Sequence, residues 1–184
     1  VEGLFQFFMA VSWPLFSITQ ATILNASALQ IALLTVVQVF VTIVFQGWAG
    51  KLADTTGRKR LMFFFRFSLV TVPLAYALSP DMNSLIAIST FWGFTQALGQ
   101  ASMTAYLLEV TPEDYRGSFT AAFNLIMGML TFFGSLIGGY LSGYLEGLYG
   151  LVLGLQIVYM LSAVGRGISA ALFLTLKETL KRKT

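Results

Sequence analysis

Long apolar stretches alternate with short polar interruptions along this chain, and the interruptions divide it into six parts. Apolar runs cover about 3–20, 28–50, 61–79, 83–110, 117–145 and 149–176. As helices, runs of this kind can cross a bilayer core of about 30 Å, and the longest can tilt and protrude at either end. Between them, Asn25-Ala26-Ser27 offers a capping turn, and Ser79-Pro80-Asp81 and Thr111-Pro112-Glu113-Asp114 offer stops and caps. The pattern predicts an all-α membrane protein with six transmembrane helices, a single bundle over 1–184 ending in a basic tail at 177–184. The first run has no basic n-region or cleavage site, and five similar runs follow it. It therefore reads as a span and not a signal peptide.

Composition agrees: 57% of residues are apolar and only 10% charged, against about a quarter charged in soluble domains. Charge then adds orientation. Lys51, Arg58, Lys59, Arg60, Arg116, Lys177, Lys181, Arg182 and Lys183 all fall on one set of loops and the tail, whereas the opposite loops carry only Asp81 and Glu146. The asymmetry puts the basic loops and both termini in the cytoplasm. With the cations flanking spans, the net charge of +3 is no sign of nucleic-acid binding. The chain has no Cys and no His, which removes disulfides, thiolate or imidazole metal sites, and His- or Cys-dependent catalysis. Neither an enzyme, nor a metal, nor a cofactor is expected.

The densest polar motif is Gly50-Lys51-Leu52-Ala53-Asp54-Thr55-Thr56-Gly57-Arg58-Lys59-Arg60-Leu61, between the second and third runs. Such a cluster belongs at a membrane surface, closing a hairpin between two spans. Gly50 and Gly57 would permit tight geometry at the helix ends, and Asp54 suits a helix N-terminus. Arg58 and Arg116, with Glu109 and Glu113, can form an interfacial network. Read as G-x-L-A-D-x-x-G-R-K, the loop resembles the signature between the second and third helices of each half of major facilitator superfamily transporters. Pro112-Glu113-Asp114-Tyr115-Arg116-Gly117 also resembles the loop after the fourth helix in that family. Gly134-Ser135-Leu136-Ile137-Gly138-Gly139 resembles its glycine-rich fifth helix, without that motif's proline.

The resemblance implies six helices arranged as two inverted three-helix repeats, one half of a twelve-helix fold. No Arg lies between Asp81 and Glu109, and the chain ends in a basic tail. Both features point to the C-terminal half. The other half is then an expected partner, upstream in the same chain or as a second copy. The resemblance also gives Gly50, Asp54, Gly57, Arg58, Glu109 and Arg116 the role of a latch on the outward-facing state. It implies a secondary active transporter in the plasma membrane that moves a small solute by alternating access. A non-transporting scaffold or a self-associating half-transporter is the alternative.

Polar residues at membrane depth supply the candidates for solute contact. The family's first and fourth helices line its cavity, and here they carry Trp13 with Pro14, and Gln96 with Gln100. Gln38, Asn124 and Arg166 complete the set. Buried amides need partners or water. Arg66, one to two turns from the basic loop, is expected to snorkel to the headgroups. Arg166 lies about 15 Å from the cytoplasmic end, at 1.5 Å per residue. No acid is expected at its depth, so its partner should be cavity water, a carboxylate of the other half, an anionic lipid or the solute. Small residues recur every four positions, as Gly93, Ala97, Ala101 and Ala105, as Gly134 and Gly138, and as Gly139, Gly143 and Gly147. They predict close helix packing. No filter loop or ring of charges marks a channel, and no Ser–His pair or paired aspartates marks an intramembrane protease.

Overall fold

A computed structural model describes residues 1–176; the expected basic tail at 177–184 lies outside them. The described residues form helices and turns, with no strand. Eight α-helices make six segments. Segment one is α1 (Glu2–Ser12), α2 (Leu15–Ile18) and a π turn (Thr19–Ile23); segment two is α3 (Ala28–Thr56). Segment three is α4 (Arg58–Ser68) with α5 (Thr71–Leu78), and segment four is α6 (Met82–Val110). Segments five and six are α7 (Arg116–Tyr149) and α8 (Leu151–Leu172). Four of the six are long and apolar enough to cross a membrane: Ala28–Thr56, Arg58–Leu78, Glu113–Tyr149 and Leu151–Thr175. The other two are the proline-broken first segment and the amide-bearing α6.

Local chemistry explains the boundaries. Ser27 and Gln30 form a reciprocal capping box at the start of α3. Asp81 caps α6 by accepting the Ser84 N–H at 2.8 Å; this bond holds its carboxyl below the usual carboxylate range. Gly57 separates α3 from α4 with φ 100°, a backbone region that favours glycine. Gly50, by contrast, is interior to α3, with open space where a side chain would go. The second segment thus continues through Thr56, and the break is a single residue instead of an extended loop. Nothing in 50–56 denies the helix its hydrogen bonds until Gly57 turns the chain.

Segment one packs on segments five and six, segment four packs on segments two and three, and segments three and six meet. Exchanging one, two and three for four, five and six reproduces this pattern, as inverted three-helix repeats require. At four of these five seams the second repeat supplies a glycine where the first supplies bulk; Gly3 of α1, facing Leu130 of α7, is the reverse case. A Cβ on Gly93 would strike the Gln38 carbonyl, and one on Gly138 would strike that of Val11. Gly99 receives the ring of Phe65, and Gly165 that of Phe8. The small-residue stripes therefore divide. Gly93, Gly134 and Gly138 face neighbours, whereas Gly139, Gly143 and Gly147 have none within 4 Å.

Candidate functional site

A cavity of about 730 Å³ opens between segments one to four, with Arg166 of α8 at its edge. Two stripes of amides line it. On α3, Gln38, Thr42 and Gln46 follow one another at four-residue spacing; on α6, Trp92, Gln96 and Gln100 do the same. Four-residue spacing keeps a side chain on one helix face. Thr42 is anchored, its hydroxyl lying 2.9 Å from Gln38 O and 3.0 Å from Gly93 O. Among the described residues, the side-chain amides of Gln38, Gln46, Gln96 and Gln100 make no hydrogen bond to the protein. These donors and acceptors are left for water or a solute.

Aromatic rings from segments one, three and four pack together beside the amides. Phe16 stacks on Tyr76 with centroids 4.2 Å apart, and Tyr76 lies nearly parallel to Trp92, at 6° and 6.3 Å. Gln20, inside the π turn, donates to the Tyr76 hydroxyl at 2.6 Å. Trp92 Nε1 donates to Thr71 Oγ1 at 3.1 Å. Both bonds hold the rings in a packed, buried stack that borders the cavity. Trp13 lies at the mouth, 63% exposed.

Of the solute-contact candidates, the structure brings Trp13, Gln38, Gln96, Gln100 and Arg166 to this cavity. Asn124 is not among its lining residues and sits on an exposed face of α7. Reasoning from the sequence missed Gln20, Gln46, Tyr76 and Trp92. The spacing of Gln46 from Gln38 was a readable signal, whereas the Gln20–Tyr76 pairing, across 56 residues, left none.

Both membrane arginines differ from expectation. Arg66 does not reach for the headgroups. It is 8% exposed and pairs with Glu2 at the start of α1. Its guanidinium carbon lies 4.7 Å from the Phe5 ring centroid, 5.0 Å from that of Phe65 and 5.9 Å from that of Phe173. A buried acid and an aromatic cage outbid the headgroups for this cation. Arg166, 1% exposed, also finds partners within the chain: Leu69 O at 3.0 Å, Met9 O at 3.2 Å and Ser12 Oγ at 2.7 Å. They are none of the four sources expected.

At the charged end, Arg58 reaches Asp54 at 3.5 Å and Glu109 at 3.0 Å, tying α4 to both α3 and α6. Arg116 pairs with Glu113, three residues before it, at 3.4 Å. Gly57 sets the turn that brings Arg58 into this cluster, whereas Gly50 takes no part in it.

Residues 2–184 match the family model described as Major Facilitator Superfamily. The chain is 33% identical over 88 residues to the sugar transporter ERD6 of Arabidopsis thaliana, covering 47% of this chain and 18% of that protein. It is 29% identical over 113 residues to the sugar transporter ESL1 of the same plant, covering 60% of this chain and 24% of that protein. The matched region thus spans a quarter or less of either relative. No solved structure matches.

Proposed function

The chain belongs to the Major Facilitator Superfamily, and from that premise we propose that it forms one six-helix half of a secondary active transporter for a neutral, hydroxyl-rich solute such as a sugar. It is an integral membrane protein of a transporter family, not an enzyme. The observation that carries the proposal is the pairing of four uncommitted glutamine amides with the Phe16–Tyr76–Trp92 stack around one cavity. Amides exchange hydrogen bonds with hydroxyls, and the stack borders the cavity with apolar surface suited to the C–H groups of a pyranose. A neutral solute also fits the two cavity arginines, whose terminal nitrogens are already engaged: Arg66 by Glu2, and Arg166 by carbonyls and a serine. The two named relatives, both sugar transporters, support the same solute class.

Alternating access is the mechanism that suits a half of this kind. The Asp54–Arg58–Glu109 cluster then fastens the cytoplasmic ends of segments two, three and four in the outward-facing state, with Arg116 and Glu113 beside it. The excess of basic residues puts that cluster and both termini in the cytoplasm, in a transporter of the plasma membrane. A second six-helix body completes the pathway, upstream in the same chain or as another copy.

The test is uptake of radiolabelled hexoses and of uncharged non-sugar controls by the full-length protein in proteoliposomes. Saturable hexose uptake, competed by other hexoses, is expected. Uptake of anions or amino acids in preference to hexoses would overturn the solute class, and no uptake by correctly inserted protein would favour the scaffold.

A further inference from the structure

Two prolines interrupt segments that line the cavity, and each removes a hydrogen-bond donor. A proline has no N–H, so the carbonyl four residues before it loses its helical partner. For Pro14 that carbonyl belongs to Ala10; for Pro73 it belongs to Leu69. Both are repaired by side chains from the second repeat. Ser135 Oγ of α7 donates to Ala10 O at 3.3 Å, and Arg166 Nη1 of α8 donates to Leu69 O at 3.0 Å. Besides Arg166, Leu69 O has the Val72 N–H at 3.4 Å, a turn bond. One residue earlier, Thr71 Oγ1 donates to Ser68 O at 2.6 Å.

Arg166 does more than mend one break. Its second terminal nitrogen, Nη2, donates to Met9 O at 3.2 Å and to Ser12 Oγ at 2.7 Å, in the turn before Pro14. Ser162, one turn away on α8, adds a bond to Phe8 O at 2.7 Å and lies 3.0 Å from Ser12 Oγ. A single guanidinium therefore holds the proline break of segment three and the approach to that of segment one. Its planar fork suits acceptors on two helices at once, which a lysine ammonium on one stem does not.

We propose that Arg166 is a clamp between the two proline breaks. It stands in for the N–H that Pro73 lacks and fixes segment three against segment one. It thereby sets Phe16 of segment one against Tyr76 of segment three in the cavity wall. Arg166 is a positioning residue and does not bind the solute. The clamp is independent of the transport reading; only its effect on uptake rests on it.

The prolines supply the test. Pro73→Ala returns a backbone N–H to Leu69 O, so it should relieve the need for Arg166 at that carbonyl. Thermal unfolding of the purified full-length protein, read without any solute, is compared for Arg166→Leu, Pro73→Ala and the double variant. Arg166→Leu should lower Tm, and the drop should shrink to about half or less in the Pro73→Ala background, because coupled sites are non-additive. Pro112→Ala, in the loop after α6, should leave the Arg166→Leu drop unchanged. If Arg166→Leu is not recovered from membranes, Arg166→Lys with and without Pro73→Ala gives the same comparison. Equal Tm drops in both backgrounds would overturn the clamp. So would an Arg166→Leu protein with unchanged Tm and abolished uptake, which would mark a solute ligand. Failure to find any transported solute would leave the Tm comparison intact.

Discussion

Arg66 closes on Glu2 across 64 residues of chain, joining segment three to the first turn of segment one inside a ring of Phe5, Phe65 and Phe173. Glu2 Oε2 and Arg66 Nε are buried without another partner among the described residues. Each charge therefore depends heavily on the other.

Removing one member of that pair should cost more than removing both. Glu2→Ala leaves a caged guanidinium without its anion, and breaking a buried pair from one side costs about 3–5 kcal/mol. Glu2→Ala combined with Arg66→Met should be the milder change. Tm of the full-length protein reads the difference; a double variant less stable than Glu2→Ala would refute the pairing.

In the charged cluster, Glu109 should matter more than Asp54. Glu109 is the nearer partner of Arg58 and its side chain is 35% exposed, against 72% for Asp54. Exposed pairs contribute about 0–1 kcal/mol. Glu109→Gln should reduce uptake more than Asp54→Asn, with membrane abundance unchanged in both. Equal uptake in both variants and wild type would leave these charges a topological role only.

Cavity amides should separate from amides elsewhere. Gln96→Leu and Gln38→Leu each remove a hydrogen-bonding group and should raise KM for a transported hexose about tenfold, the equivalent of about 1.4 kcal/mol. Asn124→Ala, outside the cavity lining, should leave KM unchanged. A raised KM in Asn124→Ala with normal values in the glutamine variants would move the solute site.

Glycines of one helix should differ as sharply. Gly138→Ala drives a methyl into the Val11 carbonyl, while Gly143→Ala enters open space. The first should lower Tm or abundance. The second should leave Tm unchanged or raise it, since Ala is favoured over Gly in a helix by about 1 kcal/mol.

What could be read from the sequence follows from what is local. The six segments were legible because burial in lipid is written as apolar length. Gly57 was legible as a breaker, but Gly50 was overread, since a helical glycine and a turning glycine look alike until φ is known. Gln96 and Gln100 announced a face by their spacing. The environment of Arg66 and Arg166 was not legible, because their partners lie in other segments: Glu2, and the carbonyls of Met9 and Leu69. A backbone carbonyl leaves no trace in residue identity. Only the proline four positions beyond Leu69 hinted that one would be free.

The glycines at the seams between repeats carry one last consequence. At four of them the first three segments bring the projections, the rings of Phe8 and Phe65 and the carbonyls of Val11 and Gln38, and the last three bring the recesses, with Gly3 against Leu130 the reverse case. The two halves of this bundle are thus alike in path but opposite in relief, as a die is to its counter-die. Doubling either one would set projection against projection or hollow against hollow. The inverted pair keeps its symmetry in the course of the backbone and breaks it in the side chains at these seams.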